Sequence, residues 1–183
     1  MNKPSKKRVI ALGTFDGLHP GHRAVIETCV ALAREKGVSA LVYTFWENPK
    51  ALFGRAPLCL MSPAEKLSGI VALGADEVAA DHFDEALRSL PPESFIDSIV
   101  ERFSPIAFVC GADYSFGAGG EGNSKLLTKL ADERGIETRI VPTVRVLTEN
   151  GYSDEKVSST LIRDALARGD SETAGKLLRG DAI

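Results

Sequence analysis

Short apolar runs alternate with amphipathic stretches along the chain, and the alternation predicts repeated strand–helix units. Arg8 to Leu12 reads as a short buried strand. Ser39 to Phe45 is a continuous apolar run, of the kind buried on both faces of a parallel sheet. Glu77 to Phe83, Ile106 to Cys110 and Glu137 to Val141 supply three further strands. Between the first two, Val25, Ile26, Cys29, Val30, Leu32 and Ala33 recur at helical spacing over Arg23 to Lys36, with Gly37 as the stop. Ser62-Pro63-Ala64-Glu65 has the capping-box spacing and opens a helix that runs to Leu73 and ends at Gly74. Pro91-Pro92 opens another helix reaching Phe103, and Ser124 to Arg134 forms a third, closed by Gly135. Asn150-Gly151 marks a hairpin within the polar stretch Pro142 to Lys156. One last pair of helices follows, the first with Leu161, Ile162, Ala165 and Leu166 as its apolar face, the second over Ser171 to Leu178. The pattern predicts an α/β fold, a parallel sheet of about five strands with helices on both faces, in a single domain spanning residues 1–183.

Composition narrows the function classes. The 183 residues can bury a core, and 44% hydrophobic with 26% charged residues is ordinary for a soluble globular chain. A net charge of −3 argues against a broad nucleic-acid surface, though not against a local pocket for a nucleotide. Cys29, Cys59 and Cys110 are odd in number and far apart, which reads as reduced thiols in a cytoplasmic protein. The basic start, Lys3 to Arg8, precedes an apolar run too short for a signal-peptide core, and no run is long enough to span a bilayer. The expected partners are therefore small molecules, not nucleic acid or membrane.

The candidate chemistry centres on Gly13-Thr14-Phe15-Asp16-Gly17-Leu18-His19-Pro20-Gly21-His22, a glycine-studded turn between a strand and a helix. Such a turn brings backbone N–H groups and the positive end of a helix dipole to an anion. His19 and His22, three apart, point at the same anion if the helix begins near Pro20, and that suits a transferring phosphoryl group. The turn is neither the dinucleotide fingerprint nor a P-loop, because the glycine spacing and the Gly-Lys-Ser/Thr ending are both absent. Two alternatives stand beside this reading. One is a zinc site, short of the three or four ligands zinc requires; the other is a turn whose histidines are packed for shape.

Four other stretches could meet a ligand. Gly111 to Asn123 holds five glycines at the end of a strand, where open α/β sheets bind ligands. Val157-Ser158-Ser159-Thr160-Leu161-Ile162-Arg163 is a helix start with three hydroxyls and an arginine, either an ordinary N-cap cluster or a phosphate clamp. Phe45 to Lys50 is a strand-to-loop break in which Trp46 stacks on an aromatic ligand or, more simply, covers the sheet edge. Ala51 to Met61 is expected to be a loop serving as lid or ligand wall. His82 reads as a surface histidine.

The first turn resembles the nucleotide-binding signature of the nucleotidylyltransferase superfamily, and its Phe15-Asp16-Gly17 version resembles bacterial FAD synthetases, the adenylyltransferase half of bifunctional riboflavin kinase/FMN adenylyltransferases. Gly111, Asp113, Tyr114, Phe116, Gly117 and Gly122 are similar to that family's Gly-x-Asp/Asn-Phe-x-Phe-Gly segment, and Ser158 to Arg163 to the superfamily's Ser-Ser-Thr-x-Ile-Arg motif. Departures are Glu47 and Asn48 in place of a proline and a histidine, Ala112 for an acid, and Ala118 and Gly120 where basic residues are common. The resemblance covers Arg8 to Arg179.

It implies a Rossmann-like nucleotidylyltransferase fold and the reaction of ATP with FMN to give FAD and pyrophosphate. His19, His22 and Arg163 would be catalytic. Gly13, Thr14, Phe15, Asp16, Gly17, Gly21, Gly111, Asp113, Ser158, Ser159 and Thr160 would bind ATP, and Phe45, Asn48, Pro49, Asp113 and Phe116 would bind the flavin. Asp16 is alternatively a residue that holds the loop's shape through backbone N–H groups. Mg²⁺ is expected to come with ATP, held by phosphates and water rather than by a protein metal site. The kinase half of the bifunctional enzymes is not expected within these residues, which leaves two readings, a stand-alone adenylyltransferase with a separate riboflavin kinase upstream or a domain taken from a longer chain. The altered residues leave open another phosphorylated acceptor on the same fold, or a flavin- or nucleotide-binding module without turnover.

Overall fold

The first strand, β1 (Arg8–Leu12), turns Val9 and Ala11 to one face and Ile10 and Leu12 to the other, and all four are buried. A strand apolar on both faces must lie inside a sheet covered on both sides. In the computed structural model it does. Residues 6–50 and 58–183 are described; Lys3 of the basic start and the 51–57 part of the expected lid lie outside them.

The main sheet also contains β2 (Ser39–Phe45), β3 (Glu77–Asp81), β4 (Pro105–Gly111) and β7 (Glu137–Val141). Its order is β3-β2-β1-β4-β7, parallel throughout. Two short antiparallel pairs lie outside it, β5 (Ser115–Phe116) with β6 (Gly122–Asn123) and β8 (Arg145–Thr148) with β9 (Gly151–Lys156).

One face is covered by α1 (Pro20–Lys36), through Val25, Ile26, Cys29, Leu32 and Ala33, and by Ile70 of α2 (Pro63–Ala72). The other is covered by α4 (Pro92–Phe103), through Phe95, Ile96 and Ile99, and by Leu127, Leu130 and Ala131 of α5 (Ser124–Asp132). A third apolar cluster joins the β8–β9 hairpin to α6 (Ser159–Ala167) and α7 (Ser171–Arg179), with Val146, Val157, Ile162, Ala165, Ala174 and Leu177 at its centre.

The differences from the expected boundaries have local causes. The first helix begins at Pro20, where His19 is the N-cap and proline suits the first turn. β3 stops at Asp81, because Phe45↔Asp81 is the last rung it shares with β2 and the Asp81 carboxylate is taken by Tyr43 and Arg102. A four-residue helix, α3 (Glu85–Arg88), capped by Asp84, was not expected. Among the described residues no helix is long and apolar enough to cross a membrane.

Strand order reverses direction between β1 and β4. The chain leaves β1 toward β2 on one side and returns to β4 on the other, so the loops after these two strands diverge and open a crevice at their carboxyl ends. The Gly13–His22 turn and the Gly111–Asn123 loop lie at that point.

Candidate active site

The Gly13–His22 turn is built tightly. Phe15 and Leu18 hold positive φ angles of 53° and 43°, and Gly17 one of 88°; such conformations cost energy in non-glycine residues and cluster at functional sites. A side chain on Gly13 would meet the Phe15 ring at 2.8 Å, and one on Gly21 would meet His19 at 3.2 Å. The turn is tied to β2 by Thr44 Oγ1, which donates to the Thr14 carbonyl at 3.1 Å. Arg23 donates to the Leu18 carbonyl at 2.8 Å.

The two histidines are stacked, with ring centroids 3.7 Å apart and planes 23° from parallel. Nδ1 of each ring is buried and makes no hydrogen bond to any described residue. These Nδ1 edges are turned into the protein, while both residues also line the cleft. Burial pushes His19 down to about 4, against the pull of Asp113 and Asp16, and Arg163 and Arg23 push it further down. Burial, His19, Arg163 and Lys66 likewise hold His22 well below the ordinary range. Both rings are therefore neutral near pH 7, and an arriving anion would favour their protonation. The first turn of α1 carries no acidic residue, which leaves its N-terminus suited to an anion.

A second helix start faces the first. Ser158 caps α6, its hydroxyl accepting from Leu161 N at 3.2 Å, and no acid lies in that helix's first turn. Ser159 Oγ donates to the Asp16 carbonyl at 2.8 Å. The Asp16 carboxylate gathers the surrounding segments: it accepts from the Arg163 guanidinium, from Leu60 N at 3.1 Å and from Asn48 Nδ2 at 3.3 Å. Arg163 also donates to the Leu58 carbonyl at 2.7 Å. Asp16 thus fastens three separate segments to the turn, including one backbone N–H.

These parts line one cleft of about 1000 Å³. Of the residues expected from the sequence, His19, His22, Arg163, Gly13, Thr14, Phe15, Asp16, Gly21, Gly111, Asp113, Ser158, Ser159, Thr160, Phe45, Asn48, Pro49 and Phe116 all line it. Gly17 does not. It is buried beneath the turn, where an added Cβ would meet Leu60 at 2.8 Å. The cleft has a polar end, with the histidines and the α6 start, and an aromatic end. There Phe45 meets Phe83 edge-on at 5.1 Å and Tyr114 stacks on Phe116 at 5.5 Å.

Several lining residues were not expected. Phe83, Leu87 and Phe95 belong to the aromatic end, and Arg88 enters from the short α3. Lys156, directly before the Val157–Arg163 motif, bridges to Asp113 at 2.6 Å and holds that carboxyl below its usual range. Its place next to a hydroxyl-rich helix start was a usable signal. Glu47, one of the departures from the family pattern, pairs with His82 at 2.7 Å, and Trp46 lies beside that pair with its ring 6.3 Å from His82.

The chain is 38% identical over 175 residues to the bifunctional riboflavin kinase/FMN adenylyltransferase of Bacillus subtilis (strain 168), an alignment covering 94% of the chain and 53% of the relative. The chain spans about half the length of the curated relatives it matches first. A relative from Geobacillus thermodenitrificans (strain NG80-2), provisionally given the same bifunctional name, is 33% identical, with 93% of the chain and 88% of the relative aligned. Among solved structures, one titled a macrolide-efflux protein from Streptococcus pneumoniae superposes with a TM-score of 0.81 at 31% identity, over 97% of the chain and 56% of that structure. A family model described as FAD synthetase matches residues 1–161, and the chain belongs to the FAD synthetase family.

Proposed function

We propose that residues 1–183 form one domain that transfers the adenylyl group of ATP to FMN, giving FAD and pyrophosphate. The observation that carries this reading is the stacked His19–His22 pair, which lines the cleft at a helix start that faces a second helix start across it. Two positive helix ends and two imidazoles suit a chain of phosphates. The aromatic end formed by Phe45, Phe83, Phe95, Tyr114 and Phe116 suits the flat ring system of a flavin. The named activity of the B. subtilis relative points the same way.

An FMN phosphate oxygen would attack the α-phosphorus of ATP in line, with pyrophosphate leaving from the opposite side. A phosphate monoester with a second pKa near ~6 is largely dianionic at neutral pH, so the step requires no general base. Catalysis then rests on positioning and on stabilising charge. His19 and His22 act at the transferring phosphate. The α6 start with Thr160, together with Lys156, faces the leaving pyrophosphate. Arg163 works from its place on Asp16, keeping the α6 start against the turn. Mg²⁺ arrives with ATP as part of the substrate: the nearby carboxylates, Asp16 and Asp113, are already held by Arg163 and Lys156.

Pyrophosphate release from ATP and Mg²⁺ tests the reading, with FMN as acceptor and riboflavin as control. FMN-dependent release with FAD appearing is the expected result. ATP binding without release would redirect the search to other phosphorylated acceptors, beginning with the altered positions Asn48, Ala118 and Gly120.

A further inference from the structure

On a helix packed against the Gly13–His22 turn lies a buried lysine that the proposed reaction does not use. Lys66 is only 6% exposed and does not line the cleft. Lysine is rarely buried, because desolvating an ammonium is costly unless something repays it. Its helix, α2, backs directly onto the turn. Gly69, three residues on, lies so close to Leu18 that an added Cβ would meet Leu18 Cδ1 at 2.3 Å, and Ile70 packs in the same apolar cluster as Phe15 and Leu18. Lys66, Gly69 and Ile70 share one helical face, so the ammonium is delivered to the back of the site by the packing of the turn itself.

One contact and one electrostatic influence show what it does there. Lys66 Nζ donates to the Phe45 carbonyl, where β2 ends and the cleft wall of Phe45, Asn48 and Pro49 begins. Its charge is also felt by the site. Burial pulls the Lys66 pKa down, while Asp16, Cys59 and Glu47 favour its charged form, and it is one of the charges that act on His22. Arg163 already pairs with Asp16, and Lys66 adds a second positive charge that both Asp16 and His22 feel.

We propose that Lys66 is a positioning residue for nucleotide binding, a fixed positive charge behind the Gly13–His22 turn that strengthens the hold on bound phosphates and anchors the end of β2 without touching the ligand. The proposal rests on the nucleotide-binding part of the functional reading and not on FMN as acceptor.

The test is ATP binding by calorimetry, without FMN, for the whole chain carrying Lys66→Met, Lys66→Gln or Lys66→Arg, with a melting curve for each. The expected result is about tenfold weaker ATP binding for the Met and Gln variants, the scale of one charge acting through protein on a polyanion, and affinity within threefold of the parent for Arg. A purely structural lysine would lower the melting temperature and leave ATP affinity unchanged in the folded Met variant, and that result overturns the proposal. If the Met variant does not fold, the Gln variant, which keeps a donor for the Phe45 carbonyl, decides by the same titration. Failure of the parent chain to make FAD while the charge-removing variants bind ATP more weakly would overturn FMN adenylylation and leave the role of Lys66 standing.

Discussion

At the scale of single residues, the two histidines carry the sharpest expectations. His22→Ala is expected to lower kcat for FMN-dependent pyrophosphate release by roughly 10²–10³, the scale for removing one charge-stabilising donor; normal turnover would remove His22 from the chemistry. The stacked pair also predicts how stability follows pH. His19 titrates at about 4 in the folded chain against an ordinary 6.5. Between those values the unfolded chain binds the extra proton, so stability falls as pH drops from 6.5 toward 4, by about 1.4 kcal/mol for each unit, and is complete above that window. Urea unfolding across that range is expected to show a shallower pH dependence for His19→Gln than for the parent. The spacing of His19 and His22 was legible in the sequence because a helix start converts three-residue spacing into a shared direction. Their stacking and neutrality were not, since both arise from burial against segments far along the chain. Arg163 was legible as a cation beside a helix start. Its partner was not, because Asp16 lies 147 positions away and no local pattern connects them.

At the scale of elements, the sequence spoke most clearly where a rule acts within four residues. Ser62 and Glu65 form both arms of the capping box, Ser62 Oγ accepting from Glu65 N at 3.2 Å and Glu65 accepting from Ser62 N at 2.7 Å. Ser62→Ala is expected to cost about 1 kcal/mol in chemical denaturation. The glycine-rich loop shows the opposite case. It was recognisable as a loop, yet its internal order came from contacts no window could reveal. Gly117 adopts φ 73° and ψ 177°, a region that belongs to glycine, and an added Cβ would meet the Pro92 backbone at 2.8 Å. Next to it, Ala118 N donates to the Leu90 carbonyl at 2.7 Å. The loop is therefore docked on the start of α4, which seats Phe116 against Phe95 at 5.8 Å. Gly117→Ala is expected to cost about 1–3 kcal/mol through strain and overpacking and to raise the KM for FMN more than that for ATP. Equal effects on both substrates would show that the loop does not serve the aromatic end. The four-residue α3 stayed hidden for a simpler reason: one turn is too short to display a period.

At the scale of the whole molecule, one wall of the cleft depends on the third apolar cluster being held against the Gly13–His22 turn. The parallel sheet and a ligand loop at a strand's carboxyl end followed from the repeated strand–helix pattern, but the strand order and the attachment of the last helices did not, since nothing in the Val157–Leu178 pattern says which surface they meet. The attachment runs largely through the turn. Arg163 pairs with Asp16 where both side chains are nearly buried, Ser159 Oγ donates to the Asp16 carbonyl, and Arg23 donates to the Leu178 carbonyl at 3.3 Å. Removing one partner of a buried ion pair leaves the other charge uncompensated, at a cost of about 3–5 kcal/mol. Asp16→Ala should therefore loosen the α6–α7 cluster selectively. Amide hydrogen exchange is expected to speed up in residues 159–179 by a factor on the order of a hundred, the lower end of that cost, while β1 and β4 keep their protection. ATP should slow exchange over 159–179 in the parent chain and do so poorly in the variant, because the same junction brings the two helix starts together. Equal acceleration in the sheet and in α6–α7 would mean that the cluster and the sheet unfold as one unit, and that the cleft is fixed by the whole core rather than by the Asp16 junction.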